Sequence, residues 1–459
     1  MAEKLTDPNK AAHEIIQVLE DGDAIRNDGV RLTAANKNPW YVLATIYGEQ
    51  PDWAIAWKHD KKLAAKNRRA WNGWFCDGLS EADRADRAQK TGLMPDDLKP
   101  LSKDELAEIK KRFAARMGRG AKLPLKDKDI NFSEVFFSKF VCFEKFVFEN
   151  KSNFHSATFN RTADFCSSVF MKEAYFRRAF FKSHAGFASV TFNNYAGFRS
   201  AHFCEEASFK WYKDRENNKA ANPVRFFGIA EFSSAKFQSS TRFDDAKFLT
   251  RVPQFHAAKL YDDTVFPTPD NYTDNWPPLK GKDVMPATDQ KRAYNRLRLF
   301  MNRSLQIDEE QFFHRQEMRC KMALADWWHK PFYWLYAWLS DYGNSVWRPM
   351  AWMIAVMLSG ALFMLWWQGA FTFLPRESSG FDWTLGLLGE DDPWAKLREA
   401  FGWSISNTLP FLGFGKLYYG ELAKDLAWPL KVVGGVQTLL GYVLLFFLGL
   451  GLRNRFRLR

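Results

Sequence analysis

Phenylalanine falls at Phe132, Phe137, Phe143, Phe148, Phe154, Phe159, Phe165, Phe170, Phe176, Phe181, Phe187, Phe192, Phe198, Phe203 and Phe209, in steps that alternate five and six without exception. The repeat unit is therefore eleven residues. An eleven-residue period also fits a right-handed coiled coil, but side chains five apart on an α-helix point about 140° away from each other, so a helix would waste half of the rings. Alanine stands two residues before Phe159, Phe165, Phe176, Phe181, Phe187, Phe198, Phe203 and Phe209, and the intervening positions are Ser, Asn, Thr, Arg, Lys and Gly. A small-then-large inward pair separated by polar residues suits a solenoid of very short strands that turns a corner at each repeat. The rings fill the axis, the alanines pack beside them at the narrow wall, and the polar residues face water. A second run, Phe227, Phe232, Phe237, Phe243, Phe248, Phe255, Leu260 and Phe266, follows a polar interruption at 212–225 that is expected to bulge as a loop.

The A-x-F-x-x motif of 131–210 and 226–266 resembles the pentapeptide-repeat family. The resemblance implies a right-handed quadrilateral β-helix over 128–270, with about four repeats per coil and a height of about 25 Å at a strand spacing of roughly 4.8 Å. Some pentapeptide-repeat proteins are acidic rods that imitate DNA. Here 131–266 carries 19 Lys+Arg against 14 Asp+Glu, the wrong sign for mimicry, and no nucleic-acid partner is expected.

The 459 residues are too many for one ordinary domain. Two aromatic regimes divide them, with 27 of 43 phenylalanines between Asn131 and Phe266 and 12 of 19 tryptophans between Trp327 and Trp428. Residues 1–125 read as a helical cytoplasmic domain: AAHEIIQVLE (11–20) and Lys103 to Met117 both place apolar residues at helical spacing. Trp40, Tyr41, Trp53, Trp57, Trp71 and Trp74 make a small core or, alternatively, a docking face. The basic residues Lys61, Lys62, Lys66, Arg68 and Arg69 are read as a solvated helix face. The N-terminus has no uninterrupted apolar core of signal-peptide length, and Cys76, Cys142, Cys166, Cys204 and Cys320 include no CxxC pair, so neither disulfides nor a thiolate metal site is expected.

Residues 285–348 read as juxtamembrane helices followed by an aromatic interfacial segment. Nine Trp, Tyr and Phe rings fall within 327–347, and rings with an apolar body and one polar tip favour the headgroup layer. Beyond them, 27 consecutive uncharged residues run from Pro349 to Pro375 and 21 from Val432 to Leu452. Each run matches the roughly 20 residues that cross a hydrocarbon core, giving spans at about 349–371 and 431–452. Arg348 precedes the first span and Arg453, Arg455, Arg457 and Arg459 follow the second, whereas the 369–427 connection has five basic and eight acidic residues. That asymmetry predicts that both termini are cytoplasmic, and the expected location is a bacterial inner membrane.

In the connection, Asp391-Asp392-Pro393 starts a helix that Pro410 stops, followed by the glycine-punctuated Pro410-Phe411-Leu412-Gly413-Phe414-Gly415-Lys416. An apolar half-crossing with exposed backbone is expected to be re-entrant, because irregular backbone at membrane depth is tolerated only under protein or beside a water-filled cavity. Span, half-helix, glycine turn, span over residues 349–459, with the loop at 393–416, is similar to two-span pore-loop channels, and Gly413-Phe414-Gly415 resembles the G-Y/F-G of potassium filters. The resemblance implies an oligomer, four subunits by analogy, in which Thr408, Pro410, Phe411, Leu412, Gly413, Phe414, Gly415 and Lys416 line a constriction for ions. Phe411 and Leu412 stand where such filters carry Thr and a β-branched residue, and Lys416 where a carboxylate follows, which argues against potassium selectivity.

No catalytic signature is present: the eight histidines form no HExxH, and no phosphate-cradling loop or nucleophile elbow occurs, so the chain is not read as an enzyme and no cofactor or metal is expected. His155, His184 and His202 are read as solvated. Two functional expectations follow. One is an oligomeric channel-like membrane protein with a cytoplasmic repeat domain for regulation or assembly; the other is a membrane-anchored repeat scaffold for protein–protein interaction without conduction.

Overall fold

A computed structural model describes residues 13–55, 58–210, 222–268, 274–281, 283–368, 393–413 and 426–456. The chain forms two compact units, Met1–Lys321 and Met322–Arg459.

The first unit is built on a β-solenoid of about five turns with four parallel sheets as its faces. Each short strand pairs with its counterpart one coil on, 22 residues later where the polar interruption does not intervene, as in Phe181 opposite Phe159 and Phe203 opposite Phe181. One coil is thus two of the eleven-residue units, and each coil carries four rings. Phe187 stacks on Phe165 at 5.0 Å and on Phe209 at 4.9 Å, and meets Phe176 and Phe198 edge-on at 5.4 and 5.3 Å. The repeat phenylalanines Phe159, Phe165, Phe170, Phe176, Phe181, Phe187, Phe192, Phe198, Phe203 and Phe209 are all buried, and so are the alanines that precede them. Offset and edge-on ring pairs add about 0.5–1.5 kcal/mol each beyond area burial, so the axis is a continuous source of stability.

The alternation of five and six has a backbone cause. Glu134, Lys145, Ser156, Ser167, Arg178, Ser189 and Ser200, each eleven residues after the last, have φ between 55° and 60°. Every second corner therefore passes through the left-handed region, which turns the chain in fewer residues.

Residues 212–221 of the polar interruption lie outside the described residues, but the coil that contains it closes in register. Phe226 pairs with Phe192 and stacks on it at 5.1 Å. Phe226 is buried and Phe227 is 37% exposed, so the ring expected at Phe227 is supplied by its neighbour. The six-residue step from Phe226 to Phe232 keeps the beat.

Stacked rings need lids at both ends of a solenoid. At the first coil the lid comes from α1 (Pro39–Ala44), α2 (Lys61–Phe75) and α4 (Lys103–Met117), while Ala88 of α3 (Glu81–Thr91) packs beside Val147 in a separate cluster. Tyr41 meets Phe137 edge-on at 5.4 Å, and Trp71 packs on Phe146 and Phe148 while its indole N–H donates to the Val147 carbonyl at 3.0 Å. Asn72 bonds the Lys145 carbonyl and the Val147 N–H. At the last coil the lid is α5 (Ala287–Arg303) and α6 (Ile307–Leu324), with Trp276 against Phe248, Tyr294 and Phe312, and Phe313 against Phe266.

The helix expected at 11–20 is not formed there. Ile15–Val18 is strand β1, antiparallel to β2 (Ala24–Arg26), which pairs with β3 (Arg31–Ala34). Thr33 and Ala34 continue in parallel onto Val135 and Phe136. Ile15, Ile16 and Val18 are β-branched, turns at Gly22 and Gly29 with φ of 85° and 79° reverse the chain, and an available sheet edge outweighs a short helical pattern. His202 also departs from expectation: it is buried, 5.3 Å from Phe180.

In the second unit, α7 (Lys330–Ser340) leads into α8 (Trp347–Trp367), and α10 (Trp428–Phe456) closes the chain. Both α8 and α10 are long and apolar enough to cross a membrane, and most of each is unburied. Asn454 Nδ2 donates to the Gly343 carbonyl at 3.0 Å and Gly451 abuts Ser345, so α10 ends where α8 begins. Arg348, Arg453 and Arg455 therefore gather at one end of an antiparallel helix hairpin. Trp327, Trp328, Phe332, Trp334, Trp338 and Trp347 of the aromatic segment are exposed.

Candidate functional site

Helix α9 (Pro393–Thr408) packs into the hairpin formed by α8 and α10. Its first turns enter at the end opposite the arginines: Leu397, Ala400, Phe401 and Trp403 cluster with Phe363, Met364 and Leu365 near the end of α8 and with Leu430 and Val433 at the start of α10. Its last residue, Thr408, lies against Gly441, roughly 20 Å along α10 at about 1.5 Å per residue. The helix thus stops about midway down the hairpin. Leu409 breaks the helical backbone, Pro410–Leu412 make one 3-10 turn, and Gly413 takes φ of 72°.

Small residues make this seat possible. A Cβ on Gly441 would lie 2.2 Å from the Thr408 carbonyl oxygen, and one on Gly434 would lie 3.0 Å from Asn407 Nδ2. A Cβ on Gly360 would meet the Gln437 amide at 1.9 Å. At that crossing Gln437 Nε2 donates to the Val356 carbonyl at 2.9 Å and to Ser404 Oγ at 2.8 Å, while Ser404 Oγ donates to the Met357 carbonyl at 2.6 Å. One amide thereby ties α10, α9 and α8 together. The Gln437 Oε1 and Asn407 Nδ2 atoms are buried without a partner among the described residues.

Among the expected lining residues, Thr408 is buried and its hydroxyl donates to the Ser404 carbonyl at 2.8 Å, so that hydroxyl is already engaged. Phe411 and Leu412 are exposed, at 60% and 48%. The structure brings Thr408, Pro410, Phe411, Leu412 and Gly413 together at the inner end of α9; Phe414, Gly415 and Lys416 lie outside the described residues. Sequence reasoning missed Ser404, Asn407 and Gln437. The signal for Gln437 was present, since it is the one amide in the 21-residue run from Val432 to Leu452, and a polar group in such a run faces other helices. Ser404 and Asn407 carried no such signal, because α9 is polar enough overall for them to pass as surface residues.

Among the described residues, the arrangement gathers no metal-ligand cluster. It can present the carbonyl end of a short helix at mid-depth in an apolar hairpin, and that end carries partial negative charge. Compared with known proteins, the chain matches no family model, no curated protein and no solved structure.

Proposed function

We propose that this is an oligomeric, channel-like integral membrane protein of the bacterial inner membrane, with both termini and a pentapeptide-repeat β-helix in the cytoplasm. The observation that carries the reading is the seat of α9, a half-length helix that ends beside Gly441 and is tied to both long helices through Gln437 and Ser404. Helices that enter a bilayer and stop midway need protein around their ends, because lipid cannot satisfy free carbonyls. In this reading α9 is a re-entrant pore helix, and the Pro410 to Lys416 segment lines a constriction shared by several copies, four by analogy. The exposed Trp327, Trp328 and Trp334 rings lie at the headgroup layer and couple the cytoplasmic mass to α8. Lys416 would repel cations at the mouth, so a potassium-selective pore is not proposed.

Purified protein reconstituted into planar bilayers tests the reading. Stepwise currents that are lost when Gly413, Phe414 and Gly415 are all replaced by alanine are expected. Silent bilayers across a range of voltages and salts, with the protein shown to be inserted, would leave a tethered repeat scaffold instead.

A further inference from the structure

The solenoid brings together side chains that sequence spacing keeps far apart. Cys142 and Glu144 flank the inward Phe143, so both point out of the same face. His59, from the loop before α2, lies tilted against Phe140 with ring centroids 5.6 Å apart and reaches the same place. A ring nitrogen of His59, Cys142 Sγ and a Glu144 carboxylate oxygen all lie within 4.8 Å of one another. Asp164, 22 residues beyond Cys142 and paired with it in register, is 5% exposed. Its Oδ1 accepts the Cys166 N–H at 2.9 Å.

We propose that His59, Cys142 and Glu144 bind one divalent transition metal of the zinc class, with Asp164 of the next coil as the carboxylate behind them. Imidazole, thiolate and carboxylate together suit zinc or cobalt better than calcium or magnesium. Both ring nitrogens of His59 are buried and, among the described residues, neither has a hydrogen-bond partner, an arrangement that is costly unless something binds there. Zinc bonds of about 2.0–2.3 Å set ligand atoms roughly 3.5 Å apart, so a closing movement of about 1 Å completes the site, and the long Glu144 side chain can supply it. Three protein ligands leave a fourth position open.

The ligands are held in place from both sides. Lys139 pairs with Glu49 at 3.3 Å and Asp52 at 3.5 Å, pinning the loop to the coil. Gln50 exchanges two hydrogen bonds with the Asp60 backbone, next to His59. Asn72 and Trp71 of α2 fix the strand immediately after Glu144. The proposal concerns the first unit alone and does not depend on the channel reading.

The test is a Co(II) titration of the full-length protein in detergent after chelator treatment. One equivalent is expected to bind with a thiolate-to-cobalt charge-transfer band and to be displaced by Zn(II). Cys142→Ser should abolish the band, His59→Gln and Glu144→Gln should weaken binding about tenfold or more, and Cys320→Ser should change nothing. Melting curves check that each variant folds, and His59→Gln, in a loop, answers the question if Cys142→Ser does not fold. Failure of the parent protein to bind Co(II), binding without the band, or a band unchanged in His59→Gln would overturn the proposal.

Discussion

Replacing Gly441 by alanine tests the seat of α9 at its tightest point. The new methyl carbon would start 2.2 Å from the Thr408 carbonyl oxygen, more than 1 Å short of ordinary contact at 3.4 Å. That neighbour is backbone, so relief requires moving α9 bodily, together with Ser404 and its hydrogen bond to Gln437. Overpacking of this kind costs about 1–3 kcal/mol, and alanine returns up to about 1 kcal/mol in helix propensity. The net expectation is a loss of about 1–2 kcal/mol. Gly435 and Gly449, on the same helix, have nothing among the described residues within 4 Å of an added Cβ, so Gly435→Ala and Gly449→Ala should be neutral or slightly stabilising. Melting in detergent, followed by near-ultraviolet circular dichroism, compares the three variants directly. Gly441→Ala should melt roughly 5 °C below Gly435→Ala. Equal melting temperatures would refute the close approach of α9 to α10.

In the solenoid, Phe226→Ala should cost about 3–5 kcal/mol, while Phe227→Ala should change stability by less than about 0.5 kcal/mol; chemical denaturation of both separates the core ring from its exposed neighbour. Buried histidines make the stability of the first unit depend on pH. Burial, followed by the Arg26 charge, lowers His13 to about 4, and burial likewise lowers His202 and His314. These groups stay neutral in the fold but take up protons near pH 6.5 when unfolded, so their contribution is complete above pH 6.5 and is lost as pH falls toward 4. Burial raises Asp164 to about 7 and acts in the opposite direction over the same window, so the histidine contribution is read by difference: between pH 7.5 and pH 5 the denaturation midpoint of His13→Gln should change in the stabilising direction relative to the parent's change, and identical changes would contradict that sign.

The solenoid was legible because its period is short and its core residue is one type. Rings at alternating steps of five and six leave few packings, and the buried alanines follow from the same geometry. The left-handed corners were not legible: Glu134, Lys145, Ser156 and Arg178 stand where glycine or asparagine would have announced positive φ, so the coil's neighbours must hold the backbone there. β1 was misread since four residues cannot separate a period of two from one of 3.6, and the deciding sheet edge begins more than 100 residues later. The lid formed by α5 and α6 was hidden for a related reason, as an amphipathic helix does not say which surface covers it. At α9 the helix start and stop were readable from Pro393 and Pro410, whereas the Gln437 tie depends on a crossing of three helices that no local pattern encodes.

The central claim is that α9 enters the bilayer and stops inside it. Single cysteines placed at Trp394, Leu397, Ala400, Phe401 and Phe411 in membrane vesicles, probed with a membrane-impermeant thiol reagent from the side opposite the arginine-rich helix ends, test it most directly. Labelling at 394, protection at 397, 400 and 401, and renewed access at 411 through a water-filled cavity is the predicted result. Uniform labelling from 394 to 411 would show a helix lying in water and would remove the basis for a pore.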